Sequence, residues 1–272
     1  MEPGPVLSRI TIFPIKSLDG IELDTAVVSE GGCLLHDREL ALTDAEGNPL
    51  IGKTNPRVHE LRSRVDFATS EVSFAENGSE GWKTFRIPSE RDALQAWLSD
   101  FFGFSVVMRQ NRTGRFLDIP DLSGATVISA ETLASVAEWY PDIGLPGIRR
   151  RFRATLELSG APAFWEDRLF AGKDQAVAYR IGEVTLFGMG PRARCIVPTR
   201  DPESGLAYPG FARTFNRRRE GARPPWSRLD EYGNAYFLTV DSLIQASEIG
   251  KTLRVGDPVE IFGVRDRGPL LP

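Results

Sequence analysis

The chain has 272 residues and a formal net charge of −4, with 41% hydrophobic and 26% charged residues, a composition that fits one large or two modest soluble domains. No apolar run approaches the roughly 20 residues needed to span a bilayer, and the N-terminus lacks the basic and then apolar blocks of a secretory signal. The overall negative charge gives no general attraction to nucleic acid, so the expectation is a cytoplasmic protein with no membrane and no nucleic-acid partner.

In chain order, the alternation over Leu7–Ile12 predicts a strand that Pro14 ends. Lys16-Ser17-Leu18-Asp19-Gly20 reads as a turn, and Glu22–Val28 as a second strand. Gly31-Gly32 breaks the chain before Leu34 and Leu35. Glu39–Thr43 is a third strand, and Val65–Phe74 and Trp82–Ile87 are two more. A helix follows, with Ser89 as its cap, Leu94, Trp97, Leu98 and Phe101 at helical spacing, and Gly103 as its stop. The polar, turn-rich stretch from Asn111 to Gly124 is the candidate domain boundary. Beyond it, Thr126–Ser129 reads as a strand and Ser129–Tyr140 as a helix with Leu133, Val136 and Ala137 on one face. Arg151–Leu158, Val177–Ile181, Val184–Phe187, Ile196–Thr199, Tyr236–Val240 and Val259–Phe262 all read as short strands. With 19 prolines and 26 glycines, the pattern predicts a mixed, mainly β fold: two β-barrel-like units, residues 1–120 and 121–272, with a few helices.

The residues that carry chemistry are few. Two cysteines, Cys33 and Cys195, form no disulfide framework, although one bridge between them stays open. Two histidines, His36 and His59, exclude a His-rich zinc or iron site, and no Gly-x-Ser-x-Gly elbow accompanies a nucleophilic triad. Residues Arg149–Arg228 contain sixteen basic and eight acidic residues, inside a chain that is acidic overall. Such a segment suggests an anion site or a docking surface, against the plainer reading of a solvated arginine-rich face. On that plainer reading, Lys16-Ser17 is a surface turn, Arg38 pairs with Asp37 or Glu39, Cys33 is an incidental thiol, and Glu166-Asp167 holds an arginine. The run Arg217-Arg218-Arg219 is then a solvated face, or the exposed part of a surface for an acidic redox partner.

Three segments gain meaning together. The first is Phe13-Pro14-Ile15-Lys16-Ser17-Leu18-Asp19-Gly20, followed by Gly31-Gly32-Cys33-Leu34-Leu35-His36-Asp37-Arg38. The second is Arg150-Arg151-Phe152-Arg153-Ala154-Thr155, followed by Phe164-Trp165-Glu166-Asp167. The third runs from Gly190 through Arg192-Ala193-Arg194-Cys195 to Arg200-Asp201-Pro202-Glu203-Ser204-Gly205. Their order resembles the MOSC family with its N-terminal β-barrel extension, in the branch that contains the mitochondrial amidoxime-reducing component and its bacterial relatives. The likeness reaches Gly256-Asp257-Pro258-Val259 near the end. Arg-Cys followed by Asp-Pro-x-x-Gly is its most specific part.

The resemblance implies a molybdenum cofactor (Mo-molybdopterin) with Cys195 as metal ligand and catalytic centre. A thiolate is a soft, charged ligand suited to that metal, and the cations Arg192 and Arg194 favour a thiolate beside them. It also implies that Lys16, Ser17, Arg38 and Arg153 hold the cofactor's phosphate, that Arg194 and Thr155 face the cofactor, and that Asp121 and Asn234 fall near segments touching the pterin. Departures from the family pattern are Ala154-Thr155 after Phe-Arg, Ala193 before Arg-Cys, and the segment from Asn48 to Arg57. They bear on substrate specificity more than on cofactor binding. The function implied is reduction of N-hydroxylated compounds (amidoximes, hydroxylamines, N-hydroxylated bases). Electrons would come from a separate ferredoxin-, flavodoxin- or cytochrome-like protein, because the chain has no cysteine-rich cluster motif of its own. The alternative is a non-catalytic cofactor carrier, or a scaffold that has lost the metal and binds another anion. Nothing in the chain supplies the pyridoxal-dependent half of a cofactor sulfurase.

Overall fold

The computed structural model describes residues 4–119, 121–122 and 124–271. Strands hold 33% of residues and helices 25%, so the mainly β expectation holds. In chain order the strands are β1 (Val6–Ile12), β2 (Ile21–Leu23), β3 (Thr25–Val27), β4 (Leu40–Thr43), β5 (Leu61–Asp66), β6 (Glu71–Glu76) and β7 (Lys83–Arg86). Helix α1 (Arg91–Phe102) is followed by β8 (Val107–Gln110), β9 (Thr126–Ser129), α2 (Ala130–Glu138), α3 (Gly144–Phe152), β10 (Leu156–Ser159), β11 (Gln175–Ile181) and β12 (Val184–Ala193). Helix α4 (Phe211–Gly221), β13 (Phe237–Leu243), β14 (Thr252–Arg254) and β15 (Val259–Asp266) complete the order.

The largest sheet has eight strands in the order β15-β11-β12-β13-β9-β10-β1-β2. β1 also reaches the start of β15: Leu7 N–H donates to Asp257 O at 2.8 Å and Val259 N–H to Pro5 O at 2.9 Å, which curls the sheet toward a barrel. Its inner face is apolar, with Leu7, Ile10, Ile12, Val127, Leu156, Leu158, Tyr179, Ile181 and Val240 in one buried cluster. A separate core lies between β4, β8, the β5-β6-β7 meander and α1, from Leu40, Leu42, Leu61, Phe74, Leu94, Leu98 and Met108. The first two strands thus join the sheet built mostly from residues beyond 125. Ala26, Val28 and Leu34 also pack into the core of that sheet with residues from beyond 125, so both the backbone pairing and the core packing cross 120/121.

Several elements differ from the expectation. Val65–Phe74 is not one strand but the turn and arms of the β5-β6 hairpin, paired from Leu61↔Glu76 to Asp66↔Glu71. Asp66 accepts the N–H groups of Ala68 and Thr69, and that local turn ends the strand. Glu22–Val28 divides at Asp24 into β2, on the large sheet, and β3, paired with β14. Helix α1 is entered through Glu90, whose carboxylate accepts the Arg86 N–H at 2.7 Å; Ser89 makes no cap. Gly103 does end it, in the left-handed conformation at φ 79°. Ser129 caps α2 by accepting from Thr132 N–H at 3.1 Å. Arg151–Leu158 is not a strand: Arg151 and Phe152 are the last turn of α3 and only Leu156 onward is extended. Ile196–Thr199 is not extended either, because Val197–Thr199 forms a short 3-10 turn with Pro198 inside it. Among the described residues, no helix is long and apolar enough to cross a membrane.

Candidate functional site

A cavity of about 490 Å³ opens between the N-terminal elements and the end of β12. That volume suits a ligand of cofactor or drug size. Its lining includes Lys16, Ser17, Arg38, Arg153, Arg194 and Cys195, six of the nine residues singled out from sequence. Further cations on its walls are Lys53, Arg150, Arg151, Arg192 and Arg200, against the acids Asp19, Asp118 and Asp241.

Local structure explains how they meet. The chain after β1 is stitched to the segment before β4: Arg38 N–H donates to Phe13 O at 2.8 Å, Lys16 N–H to Leu40 O at 2.8 Å, and Leu40 N–H to Pro14 O at 2.9 Å. Phe13 N–H donates to the Asp37 carboxylate at 2.8 Å. On the other wall, Arg153 closes α3 through its own N–H to Arg149 O at 3.0 Å. Ser17, Arg38 and Arg153 have φ of 70°, 51° and 51°. This left-handed region suits glycine, and other residues occupy it at a cost of order 1 kcal/mol or more. Three of the eight non-glycine residues with positive φ among the described residues therefore line one cavity. Strain of this kind is maintained where side-chain placement matters.

Cys195 follows β12. The pairing of β12 with β13 is irregular between Gly188 and Gly190 and again between Pro191 and Ala193, and such bulges turn a strand end aside. Arg194 N–H still reaches Tyr236 O at 3.0 Å. Cys195 is exposed and its Sγ accepts the Val197 N–H at 3.4 Å. Cys33 is buried and unbridged; burial, then the Asp37 charge, push its thiol up to about 11, so it is the inert one.

The cations divide by partner. Lys16 Nζ donates to Phe116 O at 2.8 Å and pairs with Asp118 at 2.6 Å. Asp118 also takes Arg192 Nη2 at 2.8 Å, and Arg192 Nη1 pairs with Asp241 at 2.6 Å. Burial would raise the Asp118 carboxyl, but Lys16, Arg192 and Arg38 hold it down to about 2. Arg38 pairs with Asp37, as the plainer reading of its sequence had it, while still lining the cavity. Arg153 is different. Its guanidinium lies 4.0 Å from the Phe13 ring centre, and among the described residues no hydrogen bond or ion pair engages it. Burial, with Arg38 beside it, lowers Arg153 to about 10. Arg194 donates only to Phe152 O at 2.9 Å, its Nε buried without a partner; burial and then Arg192 lower it to about 10. Arg192 is paired with two carboxylates, whereas Arg194, next to Cys195 in the chain, has no ion-pair partner among the described residues.

Three expected residues do not line this cavity. Thr155 is buried in the sheet, its N–H donating to Thr126 Oγ1 at 3.1 Å and its hydroxyl without a partner. Asp121 is exposed on the connecting loop. Asn234 is exposed and accepts the Tyr236 N–H at 2.8 Å, so it acts on the site only through the Tyr236 carbonyl that holds Arg194. The run Arg217-Arg218-Arg219 is only partly a solvated face: Arg217 and Arg218 are exposed, whereas Arg219 is 1% exposed and donates to both Asp167 oxygens at 2.7 and 2.6 Å. Helical phase in α4 turns it inward. Asp167 holds an arginine as expected, although Glu166 and Asp167 lie on a 3-10 turn and both are buried. Sequence reading missed Asp118, hidden in a turn-rich boundary segment, and His59, marked only by the rarity of histidine in the chain.

Comparison with protein families agrees with this layout. The MOSC N-terminal beta barrel domain model matches residues 4–87 and the MOSC domain model matches residues 123–260. A search of curated proteins finds no match. The MOSC family is linked to molybdenum-cofactor-binding proteins, some of them enzymes. The matched cores, the bulged end of β12 and the cationic cavity before Cys195 coincide, and the chain belongs to the MOSC-domain family.

Proposed function

We propose that this chain is a molybdenum-cofactor-dependent reductase of N-hydroxylated compounds. The observation that carries the reading is an exposed thiol, Cys195, on the wall of a cavity that also holds two arginines, Arg153 and Arg194, with which no carboxylate forms an ion pair among the described residues. Buried charge without a partner is costly, so this donor set suits an anionic group with a soft metal: arginine forks for phosphate and a thiolate for molybdenum. Lys16, Ser17, Arg38 and Arg153 would hold the phosphate, Arg194 the pterin side, and Cys195 the metal. Bound there, the cofactor would supply two-electron removal of oxygen from an N–OH group.

The chain's own residues support that chemistry in stated ways. Asp118 ties Lys16 to Arg192 across the two halves of the site, so both cations are in position before any ligand arrives. The Asn234–Tyr236–Arg194 connection fixes the backbone next to Cys195. Val197 N–H, pointed at Sγ at 3.4 Å, helps to orient the sulfur. Electrons come from a separate donor protein of ferredoxin, flavodoxin or cytochrome type, for which the exposed Arg217 and Arg218 offer a cationic surface.

Protein purified from a host that makes the cofactor tests the reading by metal analysis paired with benzamidoxime reduction. Molybdenum near one per chain with amidine formation is the expected result. Molybdenum without turnover under several donors would leave a carrier and overturn the reductase, and absence of molybdenum would overturn both.

A further inference from the structure

The cavity cations fall into two sets. The set used above surrounds Cys195 and the Lys16 turn. The second lies along the wall formed by Ile51–Lys53, the 3-10 turn Pro56–Glu60 and the segment after Cys195, and comprises Lys53, Arg151 and Arg200 with His59. Arg150, also on this wall, pairs with Glu203 at 2.5 Å. Arg151 is likewise committed: it donates to Pro198 O at 3.2 Å and to Arg200 O, and pairs with Asp201 at 3.4 Å. It pins the turn that carries Arg200.

Arg200 and Lys53 are not committed. Arg200 uses Nη1 on Gly205 O at 3.0 Å; its Nε is buried without a partner, and among the described residues no carboxylate pairs with it. Lys53 is exposed, and among the described residues no hydrogen bond or ion pair engages it. His59 stands between two glycines. A Cβ at Gly52 would fall 2.5 Å from its Nε2, and one at Gly205 would fall 3.4 Å from its Cδ2 and 2.9 Å from Pro56 O. Gly52 therefore approaches the ring as only glycine permits, while Gly205, at φ 69°, packs the Arg200 turn against Pro56 O of the N-terminal wall. Buried donors in folded proteins are nearly always paired. The Arg200 charge on the cavity wall, which no carboxylate meets among the described residues, suits an anionic group, and Lys53 at the rim adds a mobile charge.

We propose that Arg200 and Lys53, beside His59, form a second anion-binding subsite that takes a carboxylate carried by the substrate at the end remote from its N–OH group. The inference rests on the reductase reading and adds a substrate class to it: N-hydroxylated compounds bearing an acid group. Burial, then Arg200 and Arg153, lower the His59 pKa, so the imidazole adds no charge of its own near neutral pH and the recognition falls to the two cations.

Benzamidoxime and 4-carboxybenzamidoxime, which differ only in the acid group, separate the possibilities by calorimetric binding to the oxidised, cofactor-loaded protein, where no turnover occurs. The wild type is expected to bind the carboxylated compound about tenfold or more tightly, since charge-assisted pairs typically carry that much. Lys53→Gln, which disturbs no contact, should reduce the preference, and Arg200→Gln with Lys53→Gln should abolish it while leaving benzamidoxime within about twofold. Equal affinity in the wild type, or a preference that survives the double variant, would overturn the inference. A preference seen only in protein stripped of cofactor would assign these cations to an anionic extension of the cofactor and overturn it as well. Turnover with a reduced viologen is read separately. A binding preference without turnover keeps the subsite and sinks the reductase, and turnover of both compounds with equal affinity and equal KM does the reverse.

Discussion

Glu166 offers a test of how the core is held that does not touch the cavity. It is 1% exposed, and its Oε2 accepts from Ser129 Oγ at 3.0 Å and Thr132 Oγ1 at 2.9 Å, while Oε1 has no partner. Burial, and then the charge of Asp167, push its carboxyl from the ordinary 4.5 up to about 7; the Thr132 hydrogen bond and Arg219 oppose the shift less strongly. A carboxyl raised in the folded state favours folding while it is protonated. Its contribution is therefore complete below pH 4.5, the unfolded value, falls as pH rises, and is gone above about 7. At about 1.4 kcal/mol per pH unit, a shift of this size amounts to roughly 3 kcal/mol. Glu166→Gln keeps the shape and the oxygen that receives the two hydroxyls and cannot ionise. In urea unfolding at a series of pH values, the variant should match the wild type near pH 4.5 and exceed it by about 3 kcal/mol at pH 8. The difference should grow through the interval between. Parallel stability curves across that interval would show that Glu166 ionises in the folded protein without penalty, and would refute the reasoning.

The cavity and the exposed arginines of α4 give four further outcomes. Cys195→Ser should abolish amidoxime reduction and alter the metal's spectrum while changing unfolding free energy by no more than about 0.5 kcal/mol, because the thiol is exposed; normal turnover would remove Cys195 from the metal. Lys16→Ala and Arg153→Ala should each lower cofactor occupancy after gel filtration, by about tenfold to hundredfold in affinity. Arg153→Gly should lose as much cofactor as Arg153→Ala but be more stable by about 1 kcal/mol, since glycine relieves the left-handed conformation; equal stabilities would show that the position is unstrained. Reversing Arg217 and Arg218 to glutamate should slow reduction by an acidic protein donor, with the slowing weaker at high salt, and spare reduction by a small chemical donor; equal slowing with both would assign the damage to the cofactor site.

How much of this was legible in the sequence follows from what each signal depends on. Alternation and helical spacing are local, and they located β1, β4, α1 with its Gly103 stop, β9 and α2. They failed where a turn has no glycine or proline to mark it, as at Phe67–Ser70, where Asp66 makes the turn with its own side chain. They failed again at Arg149–Phe152, where an arginine-rich helix end carries too few apolar residues to show its period. Helix α4 went unseen for the same reason: its buried positions are Phe211, Phe215 and an arginine, Arg219. Charge counting saw the basic segment but not its division, because Arg219 and Arg192 are consumed by Asp167, Asp118 and Asp241, which lie 52, 74 and 49 positions away in the chain.

Backbone control also separates the inner half of the candidate site, to whose residues the motifs assign roles, from the outer half, to whose residues they assign none. Lys16, Ser17, Arg38, Arg153, Arg194 and Cys195 sit in short runs whose backbone is locally determined, by the Pro14 turn, the α3 terminus and the bulged end of β12. A motif can carry such residues because each run sets its own turn, which backbone hydrogen bonds such as Arg38 N–H to Phe13 O and Arg194 N–H to Tyr236 O then dock to its neighbours. Lys53, His59 and Arg200 share a wall because Gly52 lets one loop close against the imidazole and Gly205 lets a distant one close against Pro56 O beside it. No run of neighbours records that approach. The residues set by local backbone are those a bound phosphate and metal would need in fixed geometry, whereas those set by loop contact can differ between relatives without disturbing the sheet beneath. Recognition of the substrate is therefore expected to reside in the loop-borne set, and exchange of residues 51–59 and 200–206 between two MOSC proteins should transfer substrate preference while leaving cofactor occupancy unchanged. Kinetics with neutral and acidic amidoximes, alongside metal analysis of the exchanged proteins, measure the two separately. Loss of metal on exchange would show that the outer wall also holds the cofactor, and would break the division drawn from backbone control.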